Sequence, residues 1–470
     1  MKKIFFLVVL MSIMLLSACG SPTDSILEDL LYDFDYMMQL MEDTFPYFGV
    51  AERRLGIDIR ELAQETRATI VNYPYSLQEF AKELGIELED MPELDEQVFW
   101  GIVMNDFFLP LFPLGHAVIL GPSGYHSQLA SIQELNPESH PFFYHQIQTL
   151  SNDTSQRFYE ERASLLSTLI EEDPALFEFI SRIETISAVF PMSPPPATSR
   201  DFVITDIIEE GRIAYLQLPS FSVSNFGNIN QRLSSFYGEI QEYEHLIIDI
   251  RGNPGGATQF WQLLIMYQLW VDRDTMPNMP LYVFYNGSEL GRFLGEAQVK
   301  DEFRPSGFVS ETSHLLTVNE ILDSNHLPHL HGNDLQNLGY GVRYNTSLSN
   351  FNQEHFNSAW TSVRYYPFHG QIWLLTNEQT LSAAAMFAHF AKYMDFAILV
   401  GEQTGGLYAS FSATSFALPN TGIIVEWDIE YLTDQYGRAL EEVLTTPHYF
   451  NRPNMDALET VLQMIEEGSY

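Results

Sequence analysis

The stretch TLSAAAMFAHFAKYMDFAILVGEQTGG, which starts at Thr380, constrains the fold of this chain more than any other. It predicts an apolar helix that begins at Ser382, then a short aliphatic strand, and then a glycine turn. The Ser382 hydroxyl would lie at the N-terminus of the helix, where free N–H groups and the helix dipole favour developing negative charge. This position suits the nucleophile of an acyl-transfer reaction.

A second block, HLIIDIRGNPGGATQFWQLL, contains a glycine turn of a different kind. Its apolar run from Leu246 to Ile250 predicts a buried strand, and the following Asn-Pro-Gly-Gly sequence predicts a turn into a helix. Glycines leave the backbone N–H groups of such a turn unobstructed, so that two of them can hold an oxyanion. We therefore predict oxyanion donors at Gly255, Gly256 and Ala383.

The remainder of the chain divides into a helical part and a mixed part. Residues 24–115 and 125–190 carry apolar residues at helical spacing, which predicts amphipathic helices. From residue 201 onward, short β-rich runs such as GRIAYLQLPSF, HLIIDI and QIWLLT alternate with helices, which predicts an α/β core with strands buried on both faces. The Pro-rich stretch 193–199 is predicted to link the two parts.

The blocks IIDIRGNPGG, TLSAAAMFA and VGEQTGG follow one another as they do in the tail-specific and tricorn-core serine peptidases, and the chain resembles this S41-type family. The resemblance implies a crotonase-like ββα core over 200–455, preceded by an α-helical N-terminal domain over 19–192 and followed by a C-terminal helix over 456–470. It also implies a serine peptidase that hydrolyses a peptide or protein substrate without a cofactor. Many relatives contain a PDZ domain, and its Gly-rich carboxylate loop is not recognisable in this sequence.

The family uses either a Ser-Lys dyad or a Ser-His arrangement, and the sequence favours the second. When VGEQTGG is aligned with the corresponding family turn, the position of the dyad lysine is occupied by Leu407. Outside the N-terminal segment the chain has only Lys82, Lys300 and Lys392. Lys392 follows Ser382 by ten residues on one predicted helix, roughly 15 Å away, and is interpreted as a solvated lysine.

His116 is the candidate base, because the tricorn-like branch supplies a histidine from the helical domain after a Gly-rich turn. In LPLFPLGHAVIL, Gly115 ends an apolar stretch and His116 begins a strand-like one. A histidine that merely lies in the core or caps an element is the alternative interpretation. His389 competes by sequence, but it lies two helical turns after Ser382, roughly 10 Å away and too far for a direct hydrogen bond.

The resemblance also implies a late glutamate that completes the site. Glu441 in YGRALEEVLTTPHYF aligns best and Glu442 is the alternative, while a solvated acid is an equally open interpretation. Glu402 in VGEQTGG is interpreted as a structural residue of the turn. Ala385 stands where the family commonly has a glutamate, which keeps two other functions open: an inactive peptide- or ligand-binding module and a scaffolding lipoprotein.

The N-terminus predicts the location of the protein. Two lysines and a short apolar stretch precede Leu16-Ser17-Ala18-Cys19, which resembles the lipobox of bacterial lipoproteins. The apolar stretch is too short to span a bilayer of about 30 Å. The resemblance implies a signal peptide over 1–18 and a lipid on Cys19, the single cysteine of the chain, so that the mature protein is anchored outside the cytoplasmic membrane. An ordinary signal peptide is the alternative.

Charge and histidine spacing limit the remaining partners. With 62 acidic and 23 basic residues the net charge is −39, so nucleic acid is not an expected partner. Residues 275–365, which are rich in Asn, His, Pro and Gly, are the least readable part of the core, and long insertions near a site often form lids or specificity walls. Within them His326, His329 and His331 are close in sequence, but no further ligand motif completes a zinc site, so we predict a polar loop and no metal. The sequence does not indicate an oligomeric state.

Overall fold

The computed structural model describes part of the chain. The described residues are 24–73, 93–131, 136, 138–172, 203–223, 225–272, 279–302, 309–346 and 363–470. The predicted signal peptide, Cys19 and the Pro-rich linker lie outside them. Within them, the helices and strands confirm the predicted α/β class with a helical N-terminal region. No described helix has both the length and the apolar character that a membrane span requires.

The described residues form the following elements, numbered in chain order. The α-helices are α1 (Asp24–Thr44), α2 (Phe48–Val50), α3 (Ile59–Val71), α4 (Glu96–Ile102), α5 (Leu109–Leu111), α6 (Pro122–Ser131), α7 (Pro141–Leu150), α8 (Asp153–Glu172), α9 (Phe226–Glu239), α10 (Thr258–Trp261), α11 (Tyr267–Leu269), α12 (Glu289–Lys300), α13 (Val318–Ser324), α14 (Ala383–Tyr393), α15 (Leu440–Val443) and α16 (Ala457–Glu467). π-Helical turns cover Ala51–Leu55, Val103–Phe108 and Gln262–Met266, and a 3₁₀ turn covers Asp334–Gln336. The strands are β1 (Val118–Ile119), β2 (Ile204–Glu209), β3 (Ile213–Gln217), β4 (His245–Asp249), β5 (Met279–Asn286), β6 (Val309–Ser310), β7 (Leu316–Thr317), β8 (Leu338–Thr346), β9 (Gln371–Thr376), β10 (Ile398–Gly401), β11 (Thr414–Ala417), β12 (Ile424–Trp427), β13 (Tyr431–Thr433) and β14 (Tyr449–Phe450).

The chain forms two compact units. The first consists of the described parts of Met1–Pro191 together with Asn286–Asp301 and Ala413–Ile429. The second consists of the described parts of Met192–Tyr285, Glu302–Ser412 and Glu430–Tyr470. The segments Asn286–Asp301 and Ala413–Ile429 lie within the core range 200–455 of the sequence analysis, and in the structure they belong to the helical unit.

The first unit packs helices around a three-stranded antiparallel sheet of order β1-β12-β11. Helices α3 and α4 start at the N-caps Asp58 and Asp95, whose carboxylates accept N–H groups of the first turn. The buried carboxylate of Asp33 on α1 accepts the N–H groups of the β11–β12 turn, and Trp427 Nε1 donates to Thr44 Oγ1 at 2.8 Å. These bonds attach the late segment Ala413–Ile429 to the N-terminal helices.

The second unit contains a six-stranded sheet of order β14-β10-β9-β4-β3-β2. Five of its strands are parallel, and only β2 at one edge is antiparallel. The central strand β4 is buried along its whole length, because the sheet is covered on both faces. On one face Ile247 and Trp373 pack against Val461 and Met464 of α16. A second sheet, of order β13-β5-β8-β6 with β7 beside β8, completes this unit.

The parallel strands fix the place of the candidate site in the second unit. Strands β4, β9 and β10 are adjacent and parallel, so their carboxyl ends lie at one edge of the sheet. The chain leaves these ends as the segments 250–257, 377–382 and 402–407. Ligands of open α/β sheets bind at such an edge. The three sequence blocks thus converge on one position.

Candidate active site

Backbone hydrogen bonds join the three blocks around Ser382. The N–H of Leu381 donates to the Asn253 carbonyl at 3.0 Å, and the N–H of Ser382 donates to the Gly406 carbonyl at 2.9 Å. A further bond at 3.0 Å joins the Gly405 N–H to the Thr380 carbonyl. The sequence predicted each block separately, and the structure brings them together as one site.

Ser382 itself has a strained backbone. It immediately precedes α14 and has φ 51° and ψ −126°, a region that residues other than glycine rarely occupy. Strain of this kind costs on the order of 1–3 kcal/mol and is typical of active sites. Ser382 is partly exposed, whereas the three alanines that follow it are buried.

The Gly255-Gly256 turn needs both of its glycines. Their φ angles are +102° and +130°, and a Cβ on Gly255 would lie 2.7 Å from Ser382 Cβ and 2.9 Å from the Ala383 nitrogen. A Cβ on Gly256 would lie 2.6 Å from the carbonyl oxygen of Phe221. Any side chain at these positions would therefore displace the turn or the start of α14.

The three predicted oxyanion donors differ in their hydrogen bonds. The N–H of Gly255 donates to Asn253 Oδ1 at 2.8 Å, so Gly255 supplies space beside Ser382 rather than a donor. The N–H groups of Gly256 and Ala383 donate to no acceptor among the described residues. These two N–H groups remain available for a developing oxyanion.

The lysine positions agree with the Ser-His arrangement. Leu407, which occupies the dyad position, is completely buried and has φ 64°. Lys392 is not the freely solvated lysine that the sequence suggested, because its Nζ donates to the Thr446 carbonyl at 2.6 Å. Partial burial, together with the nearby positive charge of Arg438, lowers the pKa of Lys392.

In the first unit, His116 follows Gly115 in a tight turn before β1. The φ angle is 48° at His116 and 54° at Gly115, and both values lie in the left-handed region. A Cβ on Gly115 would lie 2.8 Å from the rings of Phe45 and Tyr47. The aromatic packing therefore requires glycine before His116. The imidazole is buried, with 7% of the residue surface exposed.

Asp428 is the carboxylate that contacts this imidazole. His116 Nδ1 lies 2.6 Å from Asp428 Oδ2, and because an ionised carboxylate can only accept, Nδ1 carries the proton. The Asp428 N–H also donates to the Gly115 carbonyl at 2.7 Å, which extends the β1–β12 pairing. Because Nδ1 is hydrogen-bonded to Asp428, Nε2 is the nitrogen with which His116 could accept or donate a proton.

The sequence analysis did not single out Asp428. The available signal was the alternation of Glu426, Asp428 and Glu430 within the otherwise apolar run IVEWDIEYL. All three are at most 3% exposed, and acids are rarely buried without a specific partner.

Glu441 lies in the second unit and is completely buried. Its carboxylate accepts the backbone N–H of Tyr408, whose hydroxyl is hydrogen-bonded to Thr404 and Thr445. Glu441 therefore supports the turn that contains Gly406, the partner of the Ser382 N–H. Its predicted catalytic role stays a prediction. Its alternative, Glu442, is partly exposed.

Glu402 and Ala385 are the two further positions that the comparison with the family singled out. Glu402 is exposed, and its N–H donates to the Thr376 carbonyl at 2.9 Å, as expected for a residue of the turn. Ala385 is completely buried in the first turn of α14. A carboxylate in its place would lose its hydration without a counter-charge.

His389, the competing base, is buried among aromatic rings. Its ring centroid is 4.6 Å from that of Tyr393, and neither ring nitrogen has a hydrogen-bond partner among the described residues. Burial, and to a lesser extent the positive charges of Arg438 and Lys392, lower the pKa of His389 from 6.5 to about 3. A histidine with so low a pKa is a poor general base at neutral pH.

This buried histidine predicts acid sensitivity. Between pH 6.5 and pH 3 the unfolded chain binds a proton at His389 that the folded chain does not bind, so stability falls as pH falls through this range. The loss at pH 3 is about 4 kcal/mol. We expect the free energy of unfolding of His389→Leu to rise relative to that of the wild type as pH falls. Urea unfolding of both proteins at pH 7, 5 and 4 measures this difference. The exposed-site control His369→Leu should show no such trend, and parallel curves for His389→Leu and the wild type would contradict the prediction.

The described residues contain no group of three or more His, Cys, Asp or Glu side chains placed to hold a metal ion. His326 and His329 are exposed, and His331 is partly exposed in the loop between α13 and the 3₁₀ turn.

Known proteins resemble the chain as follows. Residues 212–450, just over half of the chain, match the family model described as Peptidase family S41. No curated protein matches the sequence. The solved structures that are similar to this chain include a lipoprotein from Streptococcus agalactiae (13% identity, 96% of this chain and 99% of that chain, TM-score 0.40) and CPAF complexed with lactacystin (13%, 95% and 98%, 0.44). They also include the photosystem II D1 C-terminal processing protease (14%, 57% and 53%, 0.31).

Proposed function

The chain belongs to peptidase family S41, and from that premise we propose that it is a serine peptidase with Ser382 as nucleophile and His116 as base. The observation that carries this proposal is the backbone of Ser382, which is held at positive φ between a glycine turn and the Gly406 carbonyl. The buried His116–Asp428 hydrogen bond supports the choice of base. The dyad position is occupied by the completely buried Leu407, which favours a histidine base over a lysine base.

The proposed reaction proceeds through an acyl-enzyme. Nε2 of His116 takes the proton of the Ser382 hydroxyl as Oγ attacks the peptide carbonyl carbon. The resulting oxyanion accepts hydrogen bonds from the N–H groups of Gly256 and Ala383. Protonated His116 then gives its proton to the leaving amine, and a water molecule, deprotonated by the same nitrogen, hydrolyses the acyl-enzyme.

Asp428 has a defined part in this scheme. By accepting the Nδ1 proton it keeps Nε2 unprotonated in the neutral imidazole, and it stabilises the imidazolium that forms during attack. No cofactor takes part. The net charge of −39 favours neutral or cationic peptides over anionic ones, and this preference weakens as salt is added.

A library of quenched fluorogenic peptides tests the proposed activity. We expect the signal-free chain, residues 20–470, to hydrolyse a subset of the library, with cleavage of internal peptide bonds identified by mass spectrometry. Peptides that bind the folded protein without being cleaved would contradict the proposal and favour the binding-module alternative.

We further propose that Cys19 anchors the protein outside the cytoplasmic membrane, on the basis of the lipobox sequence Leu16-Ser17-Ala18-Cys19. When the full chain is expressed in a bacterium that is fed labelled palmitate, the label should enter the wild type and not Cys19→Ala. The wild type should remain with the membrane fraction after a salt wash. Equal labelling of the two proteins, or none of either, would contradict the anchor.

A further inference from the structure

Glu426 is a buried carboxylate that the proposed reaction does not use. It lies in the middle of β12, with only 3% of the residue surface exposed. A buried carboxylate loses hydration free energy, so it persists where hydrogen bonds or nearby charges compensate for the loss. Its neighbours therefore indicate what it does.

Neutral groups hold the Glu426 carboxylate in place. Ser415 Oγ, opposite it on β11, donates to Oε1 at 2.5 Å, and Gln128 Nε2 on α6 lies 2.9 Å and 3.2 Å from the two oxygens. No lysine or arginine forms an ion pair with Glu426 or Asp428 in the described part of the chain. The Glu426 carboxylate is thus oriented by neutral groups, and no permanent cation of the described residues is paired with it.

The strand register places this charge beside His116. Glu426 pairs with Val118 across the β1–β12 ladder, and two residues further on the Asp428 N–H donates to the carbonyl of Gly115, the residue before His116. Alternate residues of a strand point to the same face, so the Glu426 side chain lies on the face of Asp428, whose carboxylate contacts the His116 imidazole. The Asp428 oxygen that does not bind His116, Oδ1, is buried without a hydrogen-bond partner.

Few other titratable groups face Glu426. Just before β1 there is His116, just after β12 there is Asp428, and from α8 there is the buried phenol of Tyr159, whose hydroxyl binds the Leu120 carbonyl and the Ile424 N–H. Arg162 on α8 instead stacks on Trp100 at 3.7 Å and donates to Gln97. From β11 and α6 the hydrogen-bond partners of the Glu426 carboxylate are the neutral Ser415 and Gln128, and Tyr125 of α6 stacks on Tyr159. Burial raises the pKa of Glu426, and the charge of His116 opposes that change.

We propose that Glu426 is a positioning residue for His116, whose carboxylate, held by Ser415 and Gln128, adds a second negative charge beside the His116–Asp428 pair. This charge stabilises the imidazolium and makes His116 a stronger base. The proposal rests on the proposed function for its catalytic meaning, but the interaction itself is a property of the resting protein. Protonation of Glu426 would remove this charge from beside His116.

The pKa of the His116 imidazole tests this inference without requiring activity. We would label the histidines of the signal-free chain with ¹³C at Cε1, assign the His116 resonance with His116→Gln, and titrate it by NMR. In Glu426→Gln the pKa of His116 should fall by about one unit, because one buried neighbouring charge is removed. Glu160→Gln, which removes an exposed charge from α8 of the same unit, should leave it unchanged.

Glu426→Asp keeps the charge on a shorter side chain and should restore part of the loss, which a purely structural defect would not do. It also serves as the test variant if Glu426→Gln does not fold. An unchanged His116 titration in Glu426→Gln, or the same fall in Glu160→Gln, would overturn the proposal. If the peptides of the library are cleaved, the acid limb of the kcat/KM profile should move to lower pH by the same amount in Glu426→Gln.

Discussion

Ser382→Ala is expected to lower kcat for peptide hydrolysis on the order of 10⁴ to 10⁶-fold, because no acyl-enzyme can form without the hydroxyl. Folding should be little affected. The strain at φ 51° comes from the presence of a Cβ, which serine and alanine share, and Ser382 is held through its backbone N–H. The measurement is steady-state hydrolysis of the best peptide from the library, with circular dichroism and thermal unfolding of both proteins.

Ser324→Ala provides the matched control, because Ser324 is an exposed serine at the end of α13 in the same unit. Its kcat and KM should equal those of the wild type. Hydrolysis by Ser382→Ala within tenfold of the wild type would show that the nucleophile lies elsewhere.

Asp428→Asn is expected to lower kcat by about 10⁴-fold with little change in KM. An asparagine amide can donate to Nδ1, which moves the imidazole proton to Nε2 and leaves no acceptor for the Ser382 proton. The 2.6 Å contact makes this loss specific to the His116–Asp428 pair. The test measures kcat, KM and the thermal midpoint together, so that a folding defect is separated from a catalytic one.

Asp153→Asn is the control for this charge change, since Asp153 is an exposed acid at the start of α8 in the first unit. We expect it to keep full activity. A kcat of Asp428→Asn within tenfold of the wild type would contradict the role of Asp428.

The sequence predicted the part of the site that local patterns determine. A serine before an apolar helix, an Asn-Pro-Gly-Gly turn after a buried strand and a second glycine turn are each readable within about twenty residues. The family assignment and the α/β fold are confirmed. The convergence of the three blocks then follows from the parallel order of β4, β9 and β10.

The sequence did not predict features that depend on long-range pairing. His116 and Asp428 are 312 residues apart, and their contact depends on the register between β1 and β12. The assignment of Ala413–Ile429 to the first unit has the same origin, since a buried Asp33 binds the turn of that segment. Neither local propensity nor residue spacing carries this information.

The sequence predicted the N–H of Gly255 as an oxyanion donor, and a competing hydrogen bond explains why the structure differs. The sequence cannot distinguish Gly255 from Gly256, since both lack a side chain. In the structure Asn253 Oδ1 takes the N–H of Gly255, and the N–H of Gly256 is left for a ligand. The lipid anchor at Cys19 lies outside the described residues and stays a prediction.

Covalent labelling with a fluorophosphonate tests the central claim most directly, because the probe reacts only with an activated serine. The signal-free wild type should gain one adduct, which peptide mapping places on Ser382, and both Ser382→Ala and His116→Ala should remain unlabelled. Ser324→Ala should label like the wild type. A folded wild type that gains no adduct, or an adduct mapped to another serine, would contradict the assignment of Ser382 and His116 as nucleophile and base.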